Sequence, residues 1–101
     1  RYLGDRNSSC LEIGCGCGDL LATLEKRNFS RIKGIDLSGD NVELAKAKAA
    51  RAEVAHEDLF SIREKFGVVI MLEVLEHIKD DEKAVAFIAD NIITGTIRKK
   101  N

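Results

Sequence analysis

The chain reads as a single doubly wound α/β domain built on a mostly parallel sheet. Three observations carry that expectation. Strand-like and helix-like segments alternate from one end to the other, the pattern of β-α-β units joined by right-handed crossovers. The run Val68-Val69-Ile70-Met71-Leu72 is apolar without a break, as expected of a strand covered on both faces by helices. The first strand-like segment runs into the turn Gly14-Cys15-Gly16-Cys17-Gly18, and a helix-like segment follows. Glycine has no Cβ and accepts positive φ, so a turn of this kind lets a ligand lie against the backbone.

The elements follow in order. Ser9 to Gly14 is the first strand. Asp19 to Arg27 is a helix with Leu20, Leu21 and Leu24 on one face. Its free N–H groups and positive dipole end point back at the glycine turn. Arg31 to Leu37 is the second strand, centred on Ile32, Ile35 and Leu37. Ser38 caps the next helix, which runs to about Arg51 with Val42, Leu44, Ala45, Ala49 and Ala52 as its apolar positions. Ala52 to Ala55 is a short strand, and Ser61 to Lys65 a turn or a single helical turn. Phe66 to Val74 is the fourth strand. Asp80 or Asp81 opens a last helix that ends near Ile92. No linker, repeat or low-complexity tract divides residues 1–101, which form one domain.

Composition bounds the function. The chain has 101 residues, enough for one small domain. Charged residues make up 33% and nearly cancel, leaving a net charge of −1. That balance provides no global field for gathering nucleic acid or an anionic membrane. The basic end Arg98-Lys99-Lys100 reads as a solvated terminus. No apolar run reaches the length of a membrane span and no signal peptide is visible. Three cysteines, Cys10, Cys15 and Cys17, cluster on the first strand and its turn. Their odd number and close spacing read as reduced thiols of a cytoplasmic protein. The competing reading is a redox-sensitive turn in which Cys15 is the exposed thiol. Proline is absent.

The glycine spacing narrows the ligand. A dinucleotide fingerprint needs glycine at the first, third and sixth positions. Here the sixth position is Asp19, and glycine falls at the fifth, Gly18. Glu12 stands two residues before the first glycine. The string Glu12-x-Gly14-x-Gly16-x-Gly18 resembles the first motif of class I, Rossmann-like S-adenosylmethionine-dependent methyltransferases. Gly34-Ile35-Asp36 and Glu57-Asp58-Leu59-Phe60 resemble the family's next motifs, in the same order.

Ligands of doubly wound sheets sit beyond the carboxyl ends of the strands. Asp36 ends the second strand, 22 positions after Gly14. A carboxylate there accepts hydrogen bonds from both hydroxyls of a ribose. The resemblance implies S-adenosyl-L-methionine held by Glu12, Gly14, Cys15, Gly16, Gly18, Asp36 and Leu37. It further implies Asp58 on the adenine amino group and the Leu59 N–H on a ring nitrogen. His56, just before them, reads as a surface residue. Glu73, in Leu72-Glu73-Val74-Leu75-Glu76-His77, is placed near the methionine ammonium. Glu76 and His77 face the acceptor, with His77 as a general base. The E-x-x-E-H string also resembles a divalent-cation site formed by Glu73, Glu76 and His77. That arrangement belongs to ubiquinone-pathway catechol O-methyltransferases and small-RNA terminal 2′-O-methyltransferases. Magnesium or manganese held there would lower a hydroxyl's pKa.

The resemblance covers roughly residues 8 to 90, the first half of the family domain. Beyond Asn91 the sequence shows no further strand of useful length, so the sheet is expected to stop after the fourth strand. The apolar run 68–72 would then lie at an edge, open to self-association or a partner chain. The leading expectation is a methyltransferase acting on a small-molecule hydroxyl or an RNA 2′-hydroxyl. A non-catalytic ligand-binding or pairing module of the same fold is the alternative. An NAD-binding half-domain is disfavoured by Asp19.

Overall fold

A computed structural model describes residues 9–27, 29–72 and 81–100. Among the described residues five strands form one sheet: β1 (Ser9–Ile13), β2 (Arg31–Asp36), β3 (Glu53–His56), β4 (Phe66–Leu72) and β5 (Ile93–Lys100). Their spatial order is β3-β2-β1-β4-β5, and every pairing is parallel. Helix α1 (Asp19–Leu24) continues into a 3-10 turn, Glu25–Arg27. Helix α2 (Gly39–Lys48) joins β2 to β3, and a 3-10 turn, Leu59–Ser61, follows β3. Helix α3 (Asp81–Phe87) widens into a π turn, Ile88–Ile92, before β5. The doubly wound parallel sheet is the architecture expected from the alternation of segments. None of the described helices is long and apolar enough to cross a membrane.

Both faces of the central strands are apolar because both are covered. Leu11 and Ile13 of β1, Ile35 of β2, and Val69 and Met71 of β4 pack with Leu59, Ile62, Ala84, Ile88 and Ile92. On the opposite face Cys10, Val68 and Ile70 meet Leu24. Alternate residues of β4 therefore serve opposite layers, which explains its unbroken apolar run. Helix α2 begins as the sequence predicts: the Asn41 N–H donates to Ser38 Oγ at 3.2 Å. It buries only Val42 and Ala45, with Ala49 just past its end. Leu44, expected in the apolar stripe, is 57% exposed. The small residues on the buried side let the helix lie close to the sheet, and Leu44 falls outside that narrow stripe.

The end of the chain corrects the sequence reading. The sheet does not stop at β4, because β5 pairs with it from Phe66↔Ile93 to Leu72↔Lys100. The strand that was to need a partner chain has β1 on one side and β5 on the other. A register shift between Phe66 and Val68 accommodates the approach of β5 from the π turn.

Along β2, starting from Arg31 at its amino end, lies a charge network. The Arg31 guanidinium donates to Glu53 and Glu64 and stacks over the Phe66 ring at 5.2 Å. Lys33, only 8% exposed, reaches Glu64 at 3.2 Å and Glu57 at 3.5 Å. Hydrogen bonds from Arg31 hold the Glu53 and Glu64 carboxyls below their usual 4.5. A depressed folded pKa contributes stability that is present above the unfolded value and lost as pH falls through the folded one. Melting temperature should therefore fall as pH drops below about 4.5. Both carboxylates are well exposed, so solvent screening keeps this share of the acid loss small. Glu64→Gln should melt lower at neutral pH yet lose less on acidification. Equal acid slopes in the two proteins would exclude Glu64 as a source of that loss.

Candidate functional site

The strand order reverses at β1, whose neighbours β2 and β4 lead into crossovers of opposite sense along the sheet. The crevice beyond the carboxyl ends at such a point is where ligands of this architecture bind. The glycine turn lies there. Gly14, Gly16 and Gly18 have φ of 77°, 57° and 96°. The Gly14 and Cys15 N–H groups both donate to the Ile35 carbonyl, at 2.8 and 3.0 Å, so the turn is fastened to the end of β2. Gly18 closes it by donating to the Cys15 carbonyl at 3.1 Å and then starts α1. A Cβ at Gly16 would meet nothing within 4 Å. At Gly18 a Cβ would stand 2.8 Å from the Ala45 Cα, so here the turn presses on α2.

Asp36 is the organising carboxylate. Its Oδ2 accepts from the Gly16 N–H at 2.8 Å, and its Oδ1 from the Ser38 N–H at 2.8 Å. The Asn41 amide also reaches Oδ1, at 3.4 Å. One half-buried side chain thus joins the glycine turn to the start of α2. These three donors fill three of a carboxylate's roughly four acceptor sites, so it retains capacity for one ligand hydroxyl. Leu37, next in sequence, is 66% exposed beside it.

Glu12 is fully buried on β1, level with Gly34 of β2 and Ile70 of β4. Burial, with a smaller contribution from the Glu12 charge, pushes the Cys10 and Cys15 thiols up to about 12. This corrects the redox reading. Cys15 is not the exposed thiol: its side chain turns inward against Leu21, Ala45 and Ala49. Gly34 makes that possible, since a Cβ there would come within 3.0 Å of the Cys15 Cβ. Cys17 is the more accessible of the pair, with its Sγ 3.6 Å from Asp19 Oδ2. Asp19 is exposed and pairs with Lys48, which holds its carboxyl below the usual range.

After β3, Asp58 is exposed and Leu59 is buried in the core. Asp58 Oδ1 caps the turn by accepting from the Phe60 N–H at 3.1 Å. Phe60 meets Phe87 of α3 edge-on at 5.1 Å. His56 Nε2 lies 2.9 Å from the Leu37 carbonyl. Sequence reasoning missed that contact, and also the reach of Asn41 to Asp36. The candidates Glu73, Glu76 and His77 lie outside the described residues. Among the described residues no group of three His, Cys, Asp or Glu side chains could hold a metal ion.

S-adenosylmethionine can be tested against this site. The open space at Gly16 is a cradle that any larger side chain would fill. Asp36 offers acceptors beside it, and Asp58 stands exposed at the end of the neighbouring strand. The described residues fit the nucleoside part of that group, with open space at Gly16 and carboxylates at Asp36 and Asp58.

A doubly wound sheet with this turn at its switch point has the architecture of nucleoside-cofactor-binding α/β domains. Comparison with known proteins gives the family. A family model described as a methyltransferase domain matches residues 1–97. A ubiquinone biosynthesis O-methyltransferase of Mesorhizobium japonicum is 36% identical over 94 residues, covering 86% of this chain and 37% of that protein. One from Brucella ovis is 39% identical over 77 residues, covering 69% of this chain and 31% of the relative. Among solved structures, magnesium protoporphyrin IX methyltransferase of Synechocystis, with bound S-adenosylmethionine, is 30% identical. It superposes with a TM-score of 0.68 over 79% of this chain and 41% of that one. An N-methyltransferase of Bradyrhizobium japonicum, in complex with S-adenosyl-L-homocysteine, has the same fold: TM-score 0.73 at 22% identity, 84% and 47% covered. The chain belongs to the class I, Rossmann-like methyltransferase family. It spans about a third of the length of the curated relatives it matches.

Proposed function

We propose that this chain binds S-adenosyl-L-methionine at the glycine turn and serves methyl transfer to the hydroxyl of a small molecule. The observation that carries the reading is the open cradle at Gly16, backed by the Asp36 carboxylate that grips the turn at 2.8 Å. Gly14, Cys15, Gly16 and Gly18 offer their backbone, with Glu12 buried beneath them. Asp36 takes a ribose hydroxyl with its remaining acceptor site, and Leu37 lies beside it. Asp58 takes the adenine amino group, and the Leu59 N–H a ring nitrogen. When bound, the cofactor supplies an electrophilic methyl group on a sulfonium sulfur. The residues of this chain orient it, and line-up with the acceptor provides most of the rate. The nearly neutral charge favours a small acceptor over an RNA backbone. So do the relatives named for ubiquinone biosynthesis. Glu73 on the methionine ammonium, His77 as base, and a divalent cation on Glu73, Glu76 and His77 belong to the same reading. They rest on the E-x-x-E-H string alone.

Isothermal titration tests the proposal. S-adenosylhomocysteine should bind more tightly than NAD, and NAD binding equally well would sink it. Asp36→Ala should weaken S-adenosylhomocysteine by about 1.5–3 kcal/mol, the range for hydrogen bonds to a charged group. A smaller loss would remove Asp36 from the ribose site.

A further inference from the structure

We infer that His56 is a positioning residue for the cofactor site, acting on Asp36 through a single peptide group. A carbonyl oxygen only accepts, so at 2.9 Å from the Leu37 oxygen His56 Nε2 must carry the proton and donate it. The same peptide group ends in the Ser38 N–H, which donates to Asp36 Oδ1 at 2.8 Å. The Leu37–Ser38 peptide is therefore held at both ends, by an imidazole on its carbonyl and a carboxylate on its N–H. Rotation of that plane would break both bonds. The other oxygen of Asp36 receives the Gly16 N–H at 2.8 Å. A continuous path runs from the end of β3 to the open cradle: His56, the Leu37 carbonyl, the Ser38 N–H, the two oxygens of Asp36, Gly16. The register places His56 level with Asp36 on the neighbouring strand, so the imidazole starts from a fixed base. Its Nδ1 side packs toward the start of α2, where a Cβ on Gly39 would be 3.6 Å away. His56 itself is exposed and absent from the core clusters, so its role does not lie in packing.

The inference rests on the proposed cofactor reading only for its effect on affinity. The test uses His56→Ala and His56→Gln, whose terminal amide nitrogen can reach the same carbonyl. In the cofactor-free chain, amide hydrogen exchange at Ser38 and Gly16 should quicken several-fold in His56→Ala. Affinity for S-adenosylhomocysteine should fall by about five- to ten-fold, the effect of one lost hydrogen bond. His56→Gln should recover both, while the melting temperature moves little in either variant. Unchanged exchange, unchanged affinity in a protein that binds, or no recovery by glutamine would each overturn the positioning role. If the wild type fails to bind S-adenosylhomocysteine, the cofactor proposal falls, and the exchange rates still decide whether His56 holds the turn.

Discussion

Replacing Gly16 by valine should eliminate binding of S-adenosylhomocysteine in a chain that still folds. A Cβ at this position projects into open space, with no protein atom within 4 Å, so the substitution creates no internal collision. The cost to folding is backbone strain. At φ of 57° an L-residue loses about 1–2 kcal/mol, and β-branched side chains tolerate the region least. The cost to binding is far larger, because two methyl groups would occupy the space in which a ligand must approach the turn. Circular dichroism should show a folded protein and titration calorimetry no heat of binding. Affinity near that of the wild type would mean the cradle lies elsewhere.

Gly18→Ala should be the most destabilising single-methyl change in the turn. Two costs coincide. The φ of 96° is a region that L side chains rarely adopt, at about 1–3 kcal/mol. The new Cβ would also stand 2.8 Å from the Ala45 Cα, a backbone atom that cannot rotate away. Overpacking of that kind costs about 1–3 kcal/mol. For a domain near 100 residues each kcal/mol shifts melting by about 4–8 °C, so a fall on the order of 10–45 °C is expected. A melting temperature within a few degrees of the wild type would show that α2 does not press on the turn.

These two glycines also show how far the sequence could be read. The spacing Gly14-x-Gly16-x-Gly18 marked the turn correctly, and all three residues have positive φ. It did not say that Gly16 faces open space while Gly18 faces a helix, because Ala45 lies far along the chain. The same limit hid the double grip of Asp36, whose partner Gly16 is 20 positions away. Local signals served well where structure is local: Ser38 caps α2, Asp81 opens α3, and the β4 run was unmistakable. They failed for β5. Gly95 interrupts its β-branched residues and three cations close it, so little in the pattern favours a strand. Pairing with β4 decides the conformation instead. The competing reading, with Cys15 as an exposed thiol, fails for a related reason. A turn residue is expected at the surface, but Gly34 leaves a gap on the neighbouring strand that the thiol fills.

The position of β1 governs how the chain can fold as it is made. Cys10 pairs with Ile32 on one side and with Val68 on the other. The first neighbour is synthesised soon after β1, but the second arrives only after two more crossovers. At about 5–20 residues per second, the apolar edge of β1 waits on the order of a few seconds for β4 during translation. Among the described strands every pairing is parallel, so no hairpin between them shortens that wait. The glycine turn inherits the same schedule. It can be fastened to Ile35 and Asp36 early, once β2 is present. The β4 side of β1 is completed late, so the turn is fastened to β2 before β1 gains its second neighbour.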